Sequence, residues 1–449
     1  MSKTKIKYIC SNCGYESLRW IGKCPECDKW NSFTEEIIES GLRKPNISKS
    51  KYVVNNISDI SANEDERILT NISEFDRVLG GGIMPGSIIL LGGDPGIGKS
   101  TLAMQAAAKI RQKVLYVTGE ESEKQIKLRS ARLKINSDNF YVQAETELSN
   151  ILGAIKEIVP AVVVIDSIQT TYRNELENSA GTITQIRECT AMLMEEAKKN
   201  HYSVIIIGHV TKDGMIAGPK ILEHIVDTVL QFEGESNHSF RILRAQKNRF
   251  GSTNEIGVFE MIEEGLREVS NPSALFLSER GKQIPGSVVT SSIEGTRPIL
   301  LEVQALVTPS NYGYPQRVSN GFDQKRLAIL LAVLEKRAGV RASANNVFVN
   351  IAGGIRVAEP AIDLAVCVSI ASSLFDKVVD NQTILIGEIG LGGEVRSVGN
   401  IEKRIQEAQK LGFSKIILPL SNHKSLQNNF SAKLIPVEYL NDAIISLLK

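Results

Sequence analysis

The segment Gly93-Asp94-Pro95-Gly96-Ile97-Gly98-Lys99-Ser100 fits the pattern G-x-x-x-x-G-K-[ST]. In that pattern, glycines let successive backbone N–H groups converge on phosphate oxygens at the start of a helix. Lys99 is expected to reach the β- and γ-phosphates of ATP and Ser100 to ligate Mg²⁺, with Thr101 joining the binding set. The pattern alone gives false matches, but here it follows the apolar run SIILLG and opens the helix-like stretch TLAMQAAAKI, the context that phosphate binding requires. A purely structural glycine-rich turn would not need the Lys-Ser pair.

Two groups of acids accompany the loop. Asp166 ends the strand-like run AVVVID, and a carboxylate at a strand C-terminus lies in the ligand crevice of an open α/β sheet, so it is expected to orient Mg²⁺ and its waters. Glu120 and Glu121 follow another such run, VLYVTG, and either can stand beside the γ-phosphate to position the attacking water. Glu120 leaves the strand first and is preferred as the base; Glu121 reads equally as a first-turn carboxylate favoured by the helix dipole.

Four of the six cysteines fall within the first 27 residues, as Cys10, Cys13, Cys24 and Cys27 in the spacing C-x2-C-x10-C-x2-C. Two such knuckles supply the four thiolates of a closed tetrahedral Zn²⁺ site, which folds a small module and leaves no open position for catalysis. Gly14 and Gly22 suit the knuckle turns, and Arg19, Trp20 and Trp30 either face a partner or pack over the metal. Cys189 and Cys367 sit among apolar residues and read as core thiols.

The elements that position these residues come from a chain of 449 residues, long enough for about three domains. Its 42% hydrophobic and 23% charged residues exclude a disordered or collagen-like chain. The 52 basic and 51 acidic residues nearly cancel, so any nucleic-acid contact must come from local patches. No apolar run reaches the length of a membrane span, and a cytoplasmic location is expected. Residues 1–35 form the four-cysteine zinc-binding module and 36–59 a polar linker. Across 60–270, apolar strands alternate with helical patterns, which predicts an α/β domain with a parallel sheet covered on both faces and hairpins at its end. A further α+β domain is expected over 285–449.

The phosphate loop, the acids after VLYVTG and Asp166 together resemble the RecA-like P-loop ATPase core. GKCPECDKWNSF, GGDPGIGKST, YVTGEES, GHVTKDG and the pentapeptide Lys247-Asn248-Arg249-Phe250-Gly251 resemble the bacterial RadA (Sms) family of DNA repair proteins over essentially the whole chain. That resemblance implies a hexameric, DNA-stimulated ATPase that processes and branch-migrates recombination intermediates. Its partners would be single-stranded and branched DNA and a RecA-type recombinase. The residues add support: RILRAQKNR gathers Arg241, Arg244, Lys247 and Arg249, with Lys247 and Arg249 suited to a neighbouring subunit's γ-phosphate or to DNA. A solvated basic hairpin is the plainer alternative. Lys212, in a loop after SVIIIGHV, is a DNA candidate, and His209 reads either as a coupling residue or as a strand-end structural histidine.

From about 285 the chain resembles the Lon protease domain, through GGIRVAEPAIDLAV and GEIGLGGEVRSVGNIEKRIQEAQKLG. Ala361 stands where an active Lon domain has its serine and Glu402 where it has its lysine, so no peptidase activity is expected. Between Arg317 and Arg356 the basic residues Arg317, Lys325, Arg326, Lys336, Arg337, Arg341 and Arg356 face only two acids, Asp323 and Glu335. The stretch reads as a DNA track or as a solvated helix face. The rival functions are an ATP-dependent protease or chaperone-like machine and a nucleotide-gated DNA-binding adaptor.

Overall fold

A computed structural model describes residues 5–10, 14–38, 56, 67–208, 222–234, 240–278, 283–310, 314–353, 355–427 and 429–448. Cys13, His209, Lys212 and most of the 36–59 stretch lie outside the described residues. The described chain divides into two compact units, one of Met1–Glu233 with Arg241–Glu268 and one of Gly234–Phe240 with Val269–Lys449.

In the first unit a three-stranded antiparallel sheet carries the cysteine module: β1 (Lys5–Cys10) lies between β2 (Glu16–Ser17) and β3 (Phe33–Ile38). The ATPase-like portion follows as α1 (Ser73–Leu79), β4 (Ile88–Gly92), α2 (Lys99–Lys109), β5 (Val114–Thr118), α3 (Glu123–Arg132), β6 (Phe140–Ala144), α4 (Leu148–Ile158) and β7 (Val162–Asp166). It continues through α5 (Ile183–Asn200), β8 (Ser203–Ile207), β9 (Thr228–Glu233), β10 (Phe240–Asn248), β11 (Ile256–Ile262) and β12 (Gly265–Glu268). These strands form one sheet in the order β12-β11-β10-β9-β4-β8-β7-β5-β6.

From β6 to β9 the pairing is parallel, and β9–β10 and β11–β12 pair antiparallel. The apolar runs read from the sequence are strands buried at every position, as β4, β5, β7 and β8 show. Strand alternation divides the core between two faces. Ile89 and Leu91 of β4 pack with Leu102, Ala103 and Ala106 of α2, whereas Ile88 and Leu90 pack with Ile186, Cys189 and Leu193 of α5. Cys189 and Cys367 are fully buried, and burial pushes the Cys189 thiol up to about 12.

The second unit begins with α6 (Pro272–Ser278), β13 (Ser287–Glu294), β14 (Arg297–Pro309), β15 (Arg317–Asn320), α7 (Gln324–Ala338), β16 (Asn345–Ile351) and α8 (Asp363–Phe375). It ends with β17 (Thr383–Leu385), the small hairpin β18 (Glu388–Ile389) and β19 (Val395–Arg396), α9 (Ile401–Lys410), β20 (Lys415–Pro419), α10 (Leu420–Ser425), β21 (Lys433–Val437) and α11 (Leu440–Leu448). Seven strands form a mixed sheet in the order β15-β16-β14-β13-β17-β20-β21. A short 3-10 turn, Pro360–Ile362, leads into α8, which is buried along nearly its whole length.

Candidate nucleotide site and metal centre

The loop between β4 and α2 carries Gly93, Gly96 and Gly98 at positive φ, the last as the helix N-cap with no side chain occupying the first-turn N–H groups. A helix start left in that condition is suited to bind an anion. Lys99 opens α2, is only 3% exposed and donates to the carbonyls of Gly93 (2.8 Å) and Asp94 (2.9 Å). Burial pulls its ammonium down to about 8, while Asp166, Asp94 and Glu120 oppose the shift by favouring the charge. Ser100 is partly accessible beside it, and Thr101 faces inward.

Asp166 ends β7, next to the end of β5, in the register Thr118↔Asp166. It is largely buried and accepts a 2.5 Å hydrogen bond from the Tyr116 hydroxyl on Oδ2. Burial and the Asp166 charge drive the Tyr116 phenol well above its ordinary value, so it stays a donor. The next residue, Ser167, joined by a cis peptide, donates to Glu120 Oε1 at 2.9 Å. Glu121 is engaged elsewhere, in an ion pair with Arg129 at 3.0 and 3.2 Å. The two glutamates left open by the sequence are thus held by different partners, and only Glu120 is fixed toward the strand ends that carry Asp166. Gly119 permits this turn: a Cβ there would lie 2.0 Å from Thr170 Oγ1 and 2.9 Å from a Thr146 methyl.

The cysteine module brings Cys10, Cys24 and Cys27 together, with their sulfurs within 4.8 Å of one another and Cys10 and Cys27 at 3.6 Å. In a tetrahedral Zn–thiolate shell the S···S edge is about 3.8 Å, so these residues fit the metal. Matching bonds flank the two cysteine pairs: Gly14 N donates to Cys10 O and Asp28 N to Cys24 O. Gly14 takes the left-handed turn expected of it, but Gly22 does not. A Cβ at Gly22 would lie in ordinary contact, at 3.7 Å, with the rings of Trp20 and Trp30, between which the glycine sits. Those rings are 54% and 72% exposed, so neither covers the metal site.

Three family profiles match parts of the chain: rubredoxin metal binding domain over 8–35, the ATPase profile described as KaiC over 68–268, and subunit ChlI of Mg-chelatase over 322–422. Curated relatives match over nearly the full length. A DNA repair protein RadA from Halalkalibacterium halodurans is 50% identical over 99% of both chains. RadA proteins from Bacillus subtilis (52%, over 94% of both chains) and Listeria monocytogenes (48%, over 99% of this chain and 98% of the relative) are similarly close. The chain belongs to the RadA family of DNA repair proteins. Its architecture is that of a zinc ribbon, a RecA-like ATPase domain and a C-terminal ChlI/Lon-like domain.

In this RadA-family chain the pentapeptide Lys247–Gly251 lies at the end of β10. Asn248 pairs with Thr228, and Thr228 with Ile89, so the motif sits at the opposite end of β4 from the phosphate loop. The four steps from Ile88 to Gly92 alone span about 13 Å. Asn248 donates to the Val78 and Leu79 carbonyls at the end of α1, and Phe250 O accepts from Arg67 (2.6 Å). Lys247 donates to the carbonyls of Glu223 (2.6 Å) and Val226 (2.8 Å), and burial lowers its pKa. Arg249 is the exposed cation, 53% accessible, and reaches Asp227 at 3.4 Å. Asp227, nearly fully buried, also accepts from Ile88 N at the start of β4.

In the ChlI/Lon-like domain Ala361 is buried in the turn before α8, and Glu402 lies in the first turn of α9. Arg404, which is fully buried, makes a bidentate pair with Glu359 and donates to Ser291 O (2.5 Å) and Gly399 O (3.0 Å). Sequence spacing did not reveal this pair. Of the DNA candidates on and around α7, Lys325, Lys336, Arg337 and Arg341 are exposed. Arg326 is not a free surface cation: it makes an ion pair with the fully buried Asp363 and donates to Ile389 O. That pairing engages its guanidinium within the fold, unlike those exposed neighbours.

Proposed function

We propose that this chain is a DNA-dependent ATPase of DNA repair and homologous recombination, working as a ring-shaped, hexameric motor that branch-migrates recombination intermediates. The convergence of Lys99, Asp166 and Glu120 at the strand ends beside the phosphate loop carries the ATPase part of this reading, and the RadA relatives support its part in DNA repair and recombination. Its expected partners are single-stranded and branched DNA and a RecA-type recombinase. Ser100 and Asp166 would hold Mg²⁺, which when bound neutralises phosphate charge; Cys10, Cys24 and Cys27, with Cys13, would hold Zn²⁺. Lys99 exchanges its two loop carbonyls for phosphate oxygens, and Glu120, held by Ser167, orients the attacking water.

Arg249 stands too far along β4 to serve its own loop. It is assigned, with Lys247, to a neighbouring subunit's phosphates, where a cation supplied in trans stabilises the charge of the transition state. The ChlI/Lon-like domain, with Ala361 and Glu402 at the dyad positions, serves as scaffold and DNA platform. The deciding experiment is ATP turnover by the full chain with and without single-stranded DNA. Stimulation by about tenfold or more is expected. Equal rates would favour an adaptor, and ATP-dependent degradation of an unfolded protein would favour a protease machine.

A further inference from the structure

Tyr116 lies two residues before the end of β5, in the register Tyr116↔Val164 and Thr118↔Asp166. Parallel pairing turns its ring to the same face as Asp166, and two strand steps cover about 6.6 Å, close to the reach of a tyrosine side chain. Its hydroxyl therefore arrives at the carboxylate from within the sheet. The ring is fully buried against Phe140, with centroids 5.8 Å apart, and packs in the same apolar cluster as Val162 and Val164. An apolar residue would serve that packing as well. The hydroxyl has a different consequence: it pins Asp166 Oδ2 at 2.5 Å.

A carboxylate turns about a broad, two-fold torsion. Without a pin, either oxygen of Asp166 presents itself to the crevice. With Oδ2 fixed by a short charge-assisted bond, Oδ1 is left to face outward in one orientation. Asp166 is only 8% exposed, so few waters compete to set this angle. We infer that Tyr116 is a positioning residue for the metal-binding carboxylate: its phenol holds Asp166 in the single orientation that accepts the water shell of Mg²⁺ accompanying the nucleotide. The inference rests on Asp166 being the magnesium-orienting acid of the proposed ATPase.

The test is an equilibrium titration of the full chain with Mg²⁺ in the presence of a fluorescent ADP analogue, read alongside the thermal midpoint and the affinity for the same analogue in EDTA. Tyr116→Phe keeps the ring and removes the pin. Half-saturating Mg²⁺ should rise by about tenfold, as expected for loss of one charge-assisted hydrogen bond, with EDTA affinity unchanged. Phe140→Leu, which disturbs the ring packing and spares the hydroxyl, should lower the midpoint and leave the Mg²⁺ curve in place. In an Asp166→Asn background, Tyr116→Phe should add no further shift. If Tyr116→Phe overlays the wild-type Mg²⁺ curve, or shifts it equally in the Asp166→Asn background, Tyr116 is only a core aromatic. A wild-type chain whose nucleotide affinity ignores Mg²⁺ would instead overturn the reading of the site, and this inference with it.

Discussion

Ser167 donates a 2.9 Å hydrogen bond to Glu120, while the adjacent Glu121 is held by Arg129 in the last turn of the next helix. Neighbours in sequence are thereby held by different partners. Glu120→Gln should retain nucleotide binding and lose about 10²–10⁴ in kcat, the usual contribution of a positioned base. Glu121→Gln, which removes a partly exposed ion pair, should cost less than about 1 kcal/mol of stability and little turnover. Steady-state rates with nucleotide affinities for both variants decide it; equal losses would remove the distinction.

Lys99 provides a pH signature. Its folded value, about 8, lies below the ordinary 10.5 because burial strips its water. Between those two pH values the unfolded chain holds a proton that the folded chain has released, so stability rises with pH across that window. Lys99→Met should remove that rise, measured as denaturant midpoints from pH 7 to 10.5. Phosphate oxygens restore the charge, so ATP binding at pH 8–9 should take up a proton that calorimetry in buffers of different ionisation enthalpy detects. At pH 7 the uptake should be smaller.

Arg249 tests the assembly. A Lys99→Ala chain and an Arg249→Ala chain should each be inactive, with a loss of about 10³-fold. Mixed, they should regain part of the ATPase activity, because some interfaces then join an intact loop to an intact arginine. Arg249→Lys should remain impaired, since an ammonium lacks the planar fork. No recovery on mixing, with subunit exchange demonstrated, would assign Arg249 to DNA or to a structural tie with Asp227.

Metal analysis of the purified chain should find one zinc per chain. Cys24→Ser, at a fully buried sulfur, should lose it and unfold the ribbon, while nucleotide binding at the phosphate loop persists. Full zinc retention by that variant would rule out the four-thiolate site.

The α7 face is testable by salt dependence. Each of Lys325→Glu, Lys336→Glu and Arg337→Glu should weaken DNA binding and reduce the dependence of log affinity on log salt by about one per lost phosphate contact. Arg326→Ala should leave that slope alone and destabilise the fold by about 3 kcal/mol, because Asp363 is then buried without its partner.

These contrasts show where sequence reading reaches. The phosphate loop is legible because its chemistry sits in consecutive residues between a strand and a helix, and the zinc knuckles because their spacing alone converges the thiols. The choice between Glu120 and Glu121 is not, since it depends on Ser167 and Arg129 arriving from other elements. Arg326 looks like its exposed neighbours on α7, yet it stands at the flank of the apolar face of Leu327, Leu330 and Leu334, and its partner belongs to α8. Tyr116 is not singled out by the run VLYVTG, since nothing local reveals a hydroxyl aimed along the strand. Glu359 and Arg404 are 45 positions apart, and no periodicity links them.

Strand β4 has the phosphate loop at one end, and at the other its first N–H is tied through Asp227 to Arg249. A subunit built this way has a head and a tail. If Arg249 serves a neighbour's loop as proposed, and the donor and the loop lie in different patches, copies joined donor to loop follow each other in one direction, as in a ring or a helix. The number of working sites then equals the number of head-to-tail junctions. In such a series an open arc leaves one loop with no donor and one donor with no loop, and only closure completes every site.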